Sequence, residues 1–259
     1  MRSVDLNADL GERDRFTELD RAVVEAVTSV SIACGFHAGS PAVMRDTAAA
    51  CASRGVAVGA HVSYRDRAGF GRRPLDVAPE ALAADLSEQI EVLKAAVAEV
   101  GVPVAYLKPH GALYHAAASR PEVAGVLVAV VSGLSHRTLV APGGSEVARQ
   151  ASAAGLLVVR EGFPDRAYLP DGGLAPRDAP GAVVGDPEEA AARACTLVLE
   201  GGVRAIDGRW TPVEVDTLCI HGDSPDADRR AQAVRRALEA AGVVVRPFAP
   251  AAPVEGGAG

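Results

Sequence analysis

Acidic, amide and imidazole side chains occur in short clusters along this sequence, and their types suit acid–base or metal chemistry. Asp5, Asn7 and Asp9 alternate within one apolar run, so on a β-strand all three point to the same face. His37 and His61 follow within CGFHAG and GAHVS. Carboxylates and imidazoles together can activate water or hold a divalent cation. Asp9, His37 and His61 therefore form a candidate metal set, and a hydrogen-bonded polar cluster without an ion is the alternative.

Cationic residues form a second group of candidates. Lys108 and His110 alternate in Lys-Pro-His; the lysine can neutralise a phosphate or carboxylate, and the histidine can transfer protons near neutral pH. An ion pair with an aspartate of the first strand is the alternative for Lys108. Arg72 and Arg73 follow a glycine-rich stretch, Gly-Phe-Gly, which suits an anion as well as it suits a solvent-exposed loop.

The predicted site divides into two groups. The predicted catalytic residues are Asp9, His37, His61, Lys108 and His110. The residues predicted to bind substrate or phosphate are Asn7, Glu12, Arg72, Arg73, Glu161, Arg166, Tyr168, His221 and Asp223. The sequence contains no GxxxxGK[ST] loop, so any ATP site is not of the Walker type. A GxSxG nucleophile elbow and a Rossmann glycine motif in a βα context are missing as well.

Short β-type runs alternate with longer helical patterns, and the polar clusters follow the ends of the runs. The predicted strands are Val4–Leu10, Ser29–Gly35, Val56–Val62, Val104–Pro109, Thr138–Ala141, Leu156–Glu161, Thr217–His221 and Val243–Pro247. The predicted helices are Pro41–Arg54, Pro79–Val100, Pro121–Ser132, Ser145–Ala154, Pro187–Glu200 and Asp226–Ala241. Asp207-Gly208 between two short runs predicts an additional hairpin.

This alternation predicts an α/β fold and a way to assemble the site. Barrel enzymes place their catalytic groups at the carboxyl ends of the strands, which is where the clusters stand. We therefore predict a single β/α domain over residues 1–250, with a flexible tail at 251–259, in which seven or eight strands favour a closed or nearly closed barrel over an open doubly wound sheet. The 259 residues are 49% hydrophobic and only 4% aromatic, a composition typical of buried parallel strands packed against Ala-rich helices.

Charge and cysteine content limit the classes of partner and compartment. The formal net charge is −7 and the isoelectric point about 5.4, which disfavours a nucleic-acid partner. The sequence contains no run of ~18 apolar residues of the kind that predicts a membrane span. Its charged first residues do not resemble a signal peptide. The four cysteines form no CxxC pair, so we expect reduced thiols in the cytoplasm.

Six motifs together resemble the LamB/YcsF family, whose members form the A subunit of the prokaryotic ATP-dependent 5-oxoprolinase. They are DLNADLGE, IACGFHAG, GAHVSY with GFGRR, LKPHGALY, DRAYLPDG and HGDSP, and they span Asp5 to Pro225. The resemblance implies a slightly irregular seven-stranded barrel related to glycoside hydrolase and deacetylase barrels. It also implies ATP-dependent opening of 5-oxo-L-proline to L-glutamate with partner subunits B and C. The sequence departs from the family pattern at Ser31, Ser40 and Val62 and in Arg13-Asp-Arg-Phe16.

The implied reaction makes chemical sense of the candidates. A lactam is a resonance-stabilised amide, and phosphorylating its oxygen would turn that oxygen into a leaving group and make attack by water on the ring carbon feasible. Such a reaction needs a base and cations; Asp9, His37, His61 and His110 are candidates for the first task and Lys108 and Arg72 for the second. The expected cofactors are ATP and a divalent metal, either Mg²⁺ with ATP or a site-bound ion. One alternative is a metal-dependent amide hydrolase or sugar deacetylase without ATP, and another is a non-catalytic subunit that binds a small molecule.

Overall fold

The computed structural model describes residues 2–222 and 226–250. The predicted site residue Asp223 and the predicted tail at 251–259 lie outside the described residues. The strands, in chain order, are β1 (Ser3–Leu10), β2 (Ser29–Ala33), β3 (Ala57–Val62), β4 (Val104–Pro109), β5 (Thr138–Pro142), β6 (Leu157–Gly162), β7 (Gly202–Arg204), β8 (Trp210–Pro212), β9 (Thr217–His221) and β10 (Val244–Val245).

Seven parallel strands close into a barrel. They pair in the order β1-β2-β3-β4-β5-β6-β9, and β9 returns to pair with β1 from Asp5 to Asp9. The predicted fold class, an irregular barrel of about seven strands, is therefore confirmed. The strand predicted at Val243–Pro247 is reduced to β10, which pairs with the first residues of β1 and takes no part in closing the ring. The predicted hairpin is present as β7 and β8.

Eight helices occur in the described part of the chain, and six of them were predicted. They are α1 (Glu18–Ala26), α2 (Pro41–Ala52), α3 (Pro79–Ala98), α4 (Gly111–Ser119), α5 (Pro121–Ser132), α6 (Glu146–Ala153), α7 (Pro187–Glu200) and α8 (Ala227–Ala240). The prediction missed α1 and α4. A capping box between Thr17 and Asp20 starts α1, whereas α4 follows β4 directly inside a motif that we assigned to a strand end. None of these helices has the length and apolarity that crossing a membrane requires.

The side chains of β1 explain why the barrel interior is polar. Val4, Leu6, Ala8 and Leu10 alternate along the strand and belong to the main apolar core. The intervening residues, Asp5, Asn7 and Asp9, are at least 94% buried. They share hydrogen-bond partners inside the ring: Thr217 bonds to Asp5 and Asn7, and Lys108 bonds to Asn7 and Asp9. The lower part of the interior is filled by Tyr106, whose ring lies against Gly59 so closely that a Cβ there would be 2.2 Å from it. The open end of the ring is therefore the carboxyl end of the strands.

Candidate active site in the barrel mouth

A cavity of about 400 Å³ opens at the carboxyl ends of the strands. The predicted site residues that line it are Asp9, Glu12, His61, Arg72, Lys108, His110, Arg166 and His221. Its volume lies in the range of small-molecule sites in proteins. The common phase of the polar clusters thus did indicate one shared end of the barrel.

Lys108 forms the base of the cavity and is almost completely buried. Its Nζ lies 2.8 Å from Asp9 Oδ1, 2.6 Å from Glu161 Oε1 and 3.2 Å from Asn7 Oδ1. Burial by itself lowers the pKa of Lys108, but Asp9, Cys219 and Glu161 outweigh it and hold that pKa well above its usual value. The ion pair with a first-strand aspartate is therefore present, and it lies within the site.

Asp9 links this lysine to the histidines. Its Oδ2 lies 3.3 Å from His61 Nε2 and also accepts a hydrogen bond from Lys108 Nζ at 3.1 Å. Burial raises the pKa of Asp9, but the neighbouring His61 and Lys108 lower it by more than burial raises it. The resulting pKa is well below the usual value. Asp9 is accordingly an ionised carboxylate even though its side chain is buried.

Three imidazoles and one carboxylate meet beside Asp9. His61 Nε2 is 3.0 Å from His110 Nδ1, and the rings of His37 and His110 stack with centroids 3.9 Å apart. Glu12 Oε1 lies 3.3 Å from His37 Nε2 and 3.4 Å from His110 Nδ1. Burial, followed by repulsion from neighbouring imidazoles, lowers the pKa of both His37 and His110 well below the ordinary histidine value. These two rings are therefore neutral at physiological pH.

Two backbone carbonyls fix the orientation of this cluster. His61 Nδ1 is 3.2 Å from the carbonyl oxygen of Lys108, and His110 Nε2 is 2.9 Å from that of Phe70. Phe70 has φ +54°, a left-handed conformation that is costly for a bulky residue and is often found at functional sites. Gly71 follows with φ +65°, and a Cβ on it would lie 2.9 Å from both His37 Cβ and His110 Cδ2. Only glycine fits against the histidines there.

The two adjacent arginines of the glycine loop do different things. Arg72 lines the cavity and lies over the ring of Phe70, 4.8 Å from its centroid. Arg73 turns away from the cavity wall, and its Nε donates to Asp66 Oδ1 at 2.8 Å. Asp66 also accepts the backbone N–H of Gly69, and the hydrogen bonds from Arg73 help to hold its pKa at about 2. The structure therefore brings Arg72, but not Arg73, to the site.

His221 forms the opposite wall of the cavity as part of a dyad. Its Nδ1 lies 2.9 Å from Asp165 Oδ2, and its ring stacks on Phe163 with centroids 5.6 Å apart. Burial lowers the pKa of His221, but the Asp165 carboxylate more than compensates and raises it above the usual value. Asp165 was not among the predicted site residues, although it begins the DRAYLPDG motif. A carboxylate that orients an imidazole in this way is typical of acid–base sites.

The remaining predicted residues lie at different depths. Arg166 lines the cavity and donates from Nη2 to the carbonyl of Ala175 at 2.7 Å. Glu161 and Asn7 lie below Lys108, where Asn7 Nδ2 donates to Glu161 Oε1 at 3.1 Å. The hydroxyl of Tyr168 accepts the backbone N–H of Phe163, so it supports the wall and does not line it.

Sequence reasoning missed further residues of the cavity wall. Arg177, His115, Tyr114 and Phe163 all contribute to the lining. Tyr114 and His115 come from the unpredicted helix α4. Arg177 belongs to the segment 163–186, which contains no helix or named strand, and no periodicity in the sequence could have placed it. Strong burial and Glu161 raise the pKa of Tyr114 well above its usual value, so its hydroxyl stays protonated.

Comparisons with known proteins agree with this architecture. The chain is 49% identical to the 5-oxoprolinase A subunit of Paracidovorax citrulli over 249 residues, which covers 95% of this chain and 99% of the relative. It is 45% identical to the 5-oxoprolinase A subunit of Nocardia farcinica, with 95% and 99% covered. The crystal structure of a lactam utilization protein from Thermus thermophilus superimposes with a TM-score of 0.87 at 46% identity, covering 95% of this chain and all of that one.

A more distant likeness concerns the fold alone. A family 4 carbohydrate esterase from Streptomyces lividans superimposes with a TM-score of 0.51 at 10% identity, covering 97% of this chain and 98% of that one. The barrel fold is thus shared with this carbohydrate esterase. The sequence model of the LamB/YcsF family matches residues 4–253, nearly the whole length. The chain therefore belongs to the LamB/YcsF family.

Proposed function

We propose that this chain is the A subunit of a 5-oxoprolinase, which hydrolyses the lactam of 5-oxo-L-proline to L-glutamate while ATP is converted to ADP and phosphate. The observation that carries the proposal is identity of 45–49% to proteins of that name over about 95% of the chain. The proposal places the reaction in the barrel mouth and the protein in the cytoplasm, where its free cysteines would remain reduced.

The charges around the cavity suit a small, anionic lactam. Three arginines line it, Arg72, Arg166 and Arg177, and burial, together with the neighbouring Arg177 and Arg72, lowers the pKa of Arg166. Guanidinium groups pair with carboxylates and phosphates through two parallel hydrogen bonds. We assign these arginines to the substrate carboxylate and to a transferred phosphoryl group, which leaves the ring of the lactam directed toward Lys108.

The cavity supplies the groups that lactam opening requires. A lactam is a poor electrophile, so its oxygen must be activated and the charge that develops there must be stabilised. Lys108 stays cationic because Asp9 and Glu161 pair with it. Its ammonium group can therefore stabilise that oxygen without first taking a proton from water. His221, held by Asp165, is our candidate for proton transfer to the leaving nitrogen or from the attacking water.

The ATP apparatus is assigned to partner subunits. The sequence has no Walker-type loop, and the relatives are named as one lettered subunit of 5-oxoprolinase, which implies that further subunits exist. We propose that subunits B and C, with Mg²⁺ bound to ATP, activate the lactam, and that this chain holds the substrate and directs hydrolysis.

The test is a 5-oxoproline-dependent ATPase assay with glutamate quantified, using this chain alone and with subunits B and C. We expect little turnover alone and ATP-dependent glutamate formation by the mixture. Asp9→Asn should abolish glutamate formation without preventing assembly, because Asp9 lies in the cavity and away from the outer surface. His136→Ala, on an exposed turn, is the control and should behave as wild type.

A second candidate function is favoured by the three histidines and Glu12. Such a group suits a metal-dependent hydrolase that cleaves an amide or deacetylates a sugar without ATP. If the reconstituted mixture leaves 5-oxoproline intact while the isolated chain with zinc releases acetate from an N-acetyl sugar, this second function replaces the first.

A further inference from the structure

The contact between His61 and His110 has a proton balance that neutral imidazoles do not satisfy. A carbonyl oxygen only accepts hydrogen bonds, so His61 Nδ1 and His110 Nε2, which face the carbonyls of Lys108 and Phe70, must both carry protons. In neutral rings the other nitrogens, His61 Nε2 and His110 Nδ1, then present lone pairs to each other. They are 3.0 Å apart. Two facing lone pairs at this distance repel, so a cation belongs between them.

The surroundings distinguish a metal ion from a shared proton. A proton between His61 and His110 would satisfy that pair alone. His37 is 99% buried, and neither of its ring nitrogens makes a hydrogen bond within the described residues. Its Nε2 instead faces Glu12 Oε1 at 3.3 Å. One ion with several coordination positions serves His37, His61, His110 and Glu12 together, whereas one proton does not.

We propose that His37, His61, His110 and Glu12 bind one divalent transition-metal ion, Zn²⁺ or a cation of similar ligand preference, at the edge of the barrel-mouth cavity. One ligand atom from each residue lies within 4.8 Å of the other three. Three of the separations are 3.0, 3.3 and 3.4 Å, close to the ~3.3 Å edge of a tetrahedron with metal–ligand distances of ~2.0–2.1 Å. Three imidazoles with a carboxylate favour zinc over magnesium or calcium.

The second layer of contacts matches a metal site as well. Histidines that bind metals usually donate their other N–H to a carbonyl or carboxylate, which fixes the ring. His61 and His110 both do so. The set differs from the sequence-based one, Asp9 with His37 and His61, because both oxygens of Asp9 accept hydrogen bonds from Lys108. Asp9 Oδ2 lies beside the site, 3.3 Å from His61 Nε2, where a negative charge favours a bound cation.

The binding can be measured without turnover, so it stands or fails independently of the proposed reaction. Untagged protein is stripped with a chelator, dialysed, and titrated with Zn²⁺ by calorimetry and with Co²⁺ by visible absorption. We expect one ion per chain, a Co²⁺ spectrum of low coordination number, and a higher melting temperature with Zn²⁺. Glu12→Gln, which keeps the side-chain shape, and His61→Ala should weaken binding by about 100-fold or more, beyond the loss caused by removing a second-layer partner.

The control is His136→Ala, which removes an exposed histidine and should bind Zn²⁺ as wild type does. Circular dichroism and the melting temperature establish that each variant folds, and Glu12→Gln remains informative if His61→Ala does not fold. The proposal is overturned if the stripped wild-type protein binds no Zn²⁺ in the titration. It is also overturned if both site variants bind one ion as tightly as the wild type. The first result would assign the His61–His110 contact to a shared proton, stabilised by Asp9.

Discussion

Two buried polar clusters occupy the interior of the same barrel, one near each end of β1, and they differ in how their hydrogen bonds are balanced. At the lower end, Asp5 accepts hydrogen bonds from three hydroxyls: Thr28 Oγ1 at 2.7 Å, Ser29 Oγ at 2.8 Å, and Thr217 Oγ1. We call these four residues the floor cluster. At the upper end, Glu12, His37, His61 and His110 form the mouth cluster, in which ring nitrogens and a carboxylate oxygen face one another.

The difference shows how a structural polar cluster is told from a functional one. Hydroxyl groups rotate and can donate or accept, so the floor cluster satisfies its carboxylate with protein atoms alone. Imidazole rings pinned by carbonyls have no such freedom, and the mouth cluster is complete only with a cation. Burial is nearly the same for Asp5 and His61, each about 1% exposed. The balance of donors and acceptors, not the depth, therefore separates the two clusters.

The largest effect is expected from Lys108→Met, because Lys108 connects the two clusters through Asn7 below and Asp9 above. Removing the ammonium leaves Asp9 and Glu161 buried without their shared cation, and breaking a buried pair in this way costs about 3–5 kcal/mol. Urea unfolding should show that loss, and glutamate formation by the reconstituted enzyme should disappear. Lys94→Met, which removes an exposed lysine paired with Glu91, should change stability by less than ~1 kcal/mol. Equal effects of the two substitutions would contradict the assigned role of Lys108.

The stability that the floor cluster contributes should depend on pH. Burial raises the pKa of Asp5 from 3.8 to about 6, although its hydrogen bonds oppose the shift. Between these pH values the folded chain binds more protons than the unfolded chain, so stability from this group is greatest below about pH 4 and falls until the pH passes about 6. A shift of this size corresponds to about 3 kcal/mol. The side chain introduced by Asp5→Asn cannot titrate. The free energy of unfolding of wild type relative to Asp5→Asn should therefore decline by about 3 kcal/mol as the pH rises from about 4 to about 6.

The measurement is urea unfolding of both proteins at several pH values from about 4 to 7, since other titrating groups cancel in the comparison. Parallel stability curves would show that Asp5 is ionised throughout and that its three hydroxyl donors outweigh burial. Zn²⁺ binding should be the same in both proteins, because Asp5 lies in the floor cluster and not in the mouth cluster.

Much of the mouth cluster could be predicted because its geometry follows from strand phase. All seven barrel strands are parallel, so residues at their carboxyl ends must meet at one end of the ring, and this places His61 and His110 together beside Asp9. Six of the seven strand ends were visible in the sequence as polar motifs after apolar runs. The distinction between floor and mouth was not visible, since Asp5 and Asp9 lie on the same face of one strand and differ only in their partners from other strands.

Residues on loops were predicted less well, for a physical reason. Arg72 and Arg73 are adjacent in the sequence, and only a contact with Asp66 directs one of them away from the cavity. Arg177 lies in the segment 163–186, whose path depends on isolated bridges such as Arg166 to Val183 and on no repeating pattern. Helix α1 did have a signal, the Thr17–Asp20 capping box, which we did not recognise in the sequence.

A smaller change, Gly71→Ala, tests how tightly the mouth cluster is held. An added Cβ would lie 2.9 Å from both His37 and His110, so the rings must move, and the left-handed φ of +65° adds strain of about 1–3 kcal/mol. Gly155→Ala is the matched control, with φ +70° and no atom within 4 Å of the new Cβ. Both variants should lose stability, but only Gly71→Ala should alter the Co²⁺ spectrum. Identical spectra would mean that the histidines tolerate displacement.

The smallest expected effect separates Arg72 from Arg73 and rests on the proposed function. Arg72 lines the cavity, so Arg72→Ala should raise the KM for 5-oxoproline about tenfold, equivalent to ~1.4 kcal/mol, with a nearly unchanged melting temperature. Arg73 binds Asp66 outside the cavity, so Arg73→Ala should loosen the 66–73 loop and lower the melting temperature while leaving the KM close to that of wild type. Steady-state kinetics of the reconstituted enzyme and thermal unfolding measure the two effects separately. If Arg73→Ala raises the KM as much as Arg72→Ala does, the anion site extends across the loop, and the division between a substrate-binding arginine and a loop-stabilising arginine is wrong.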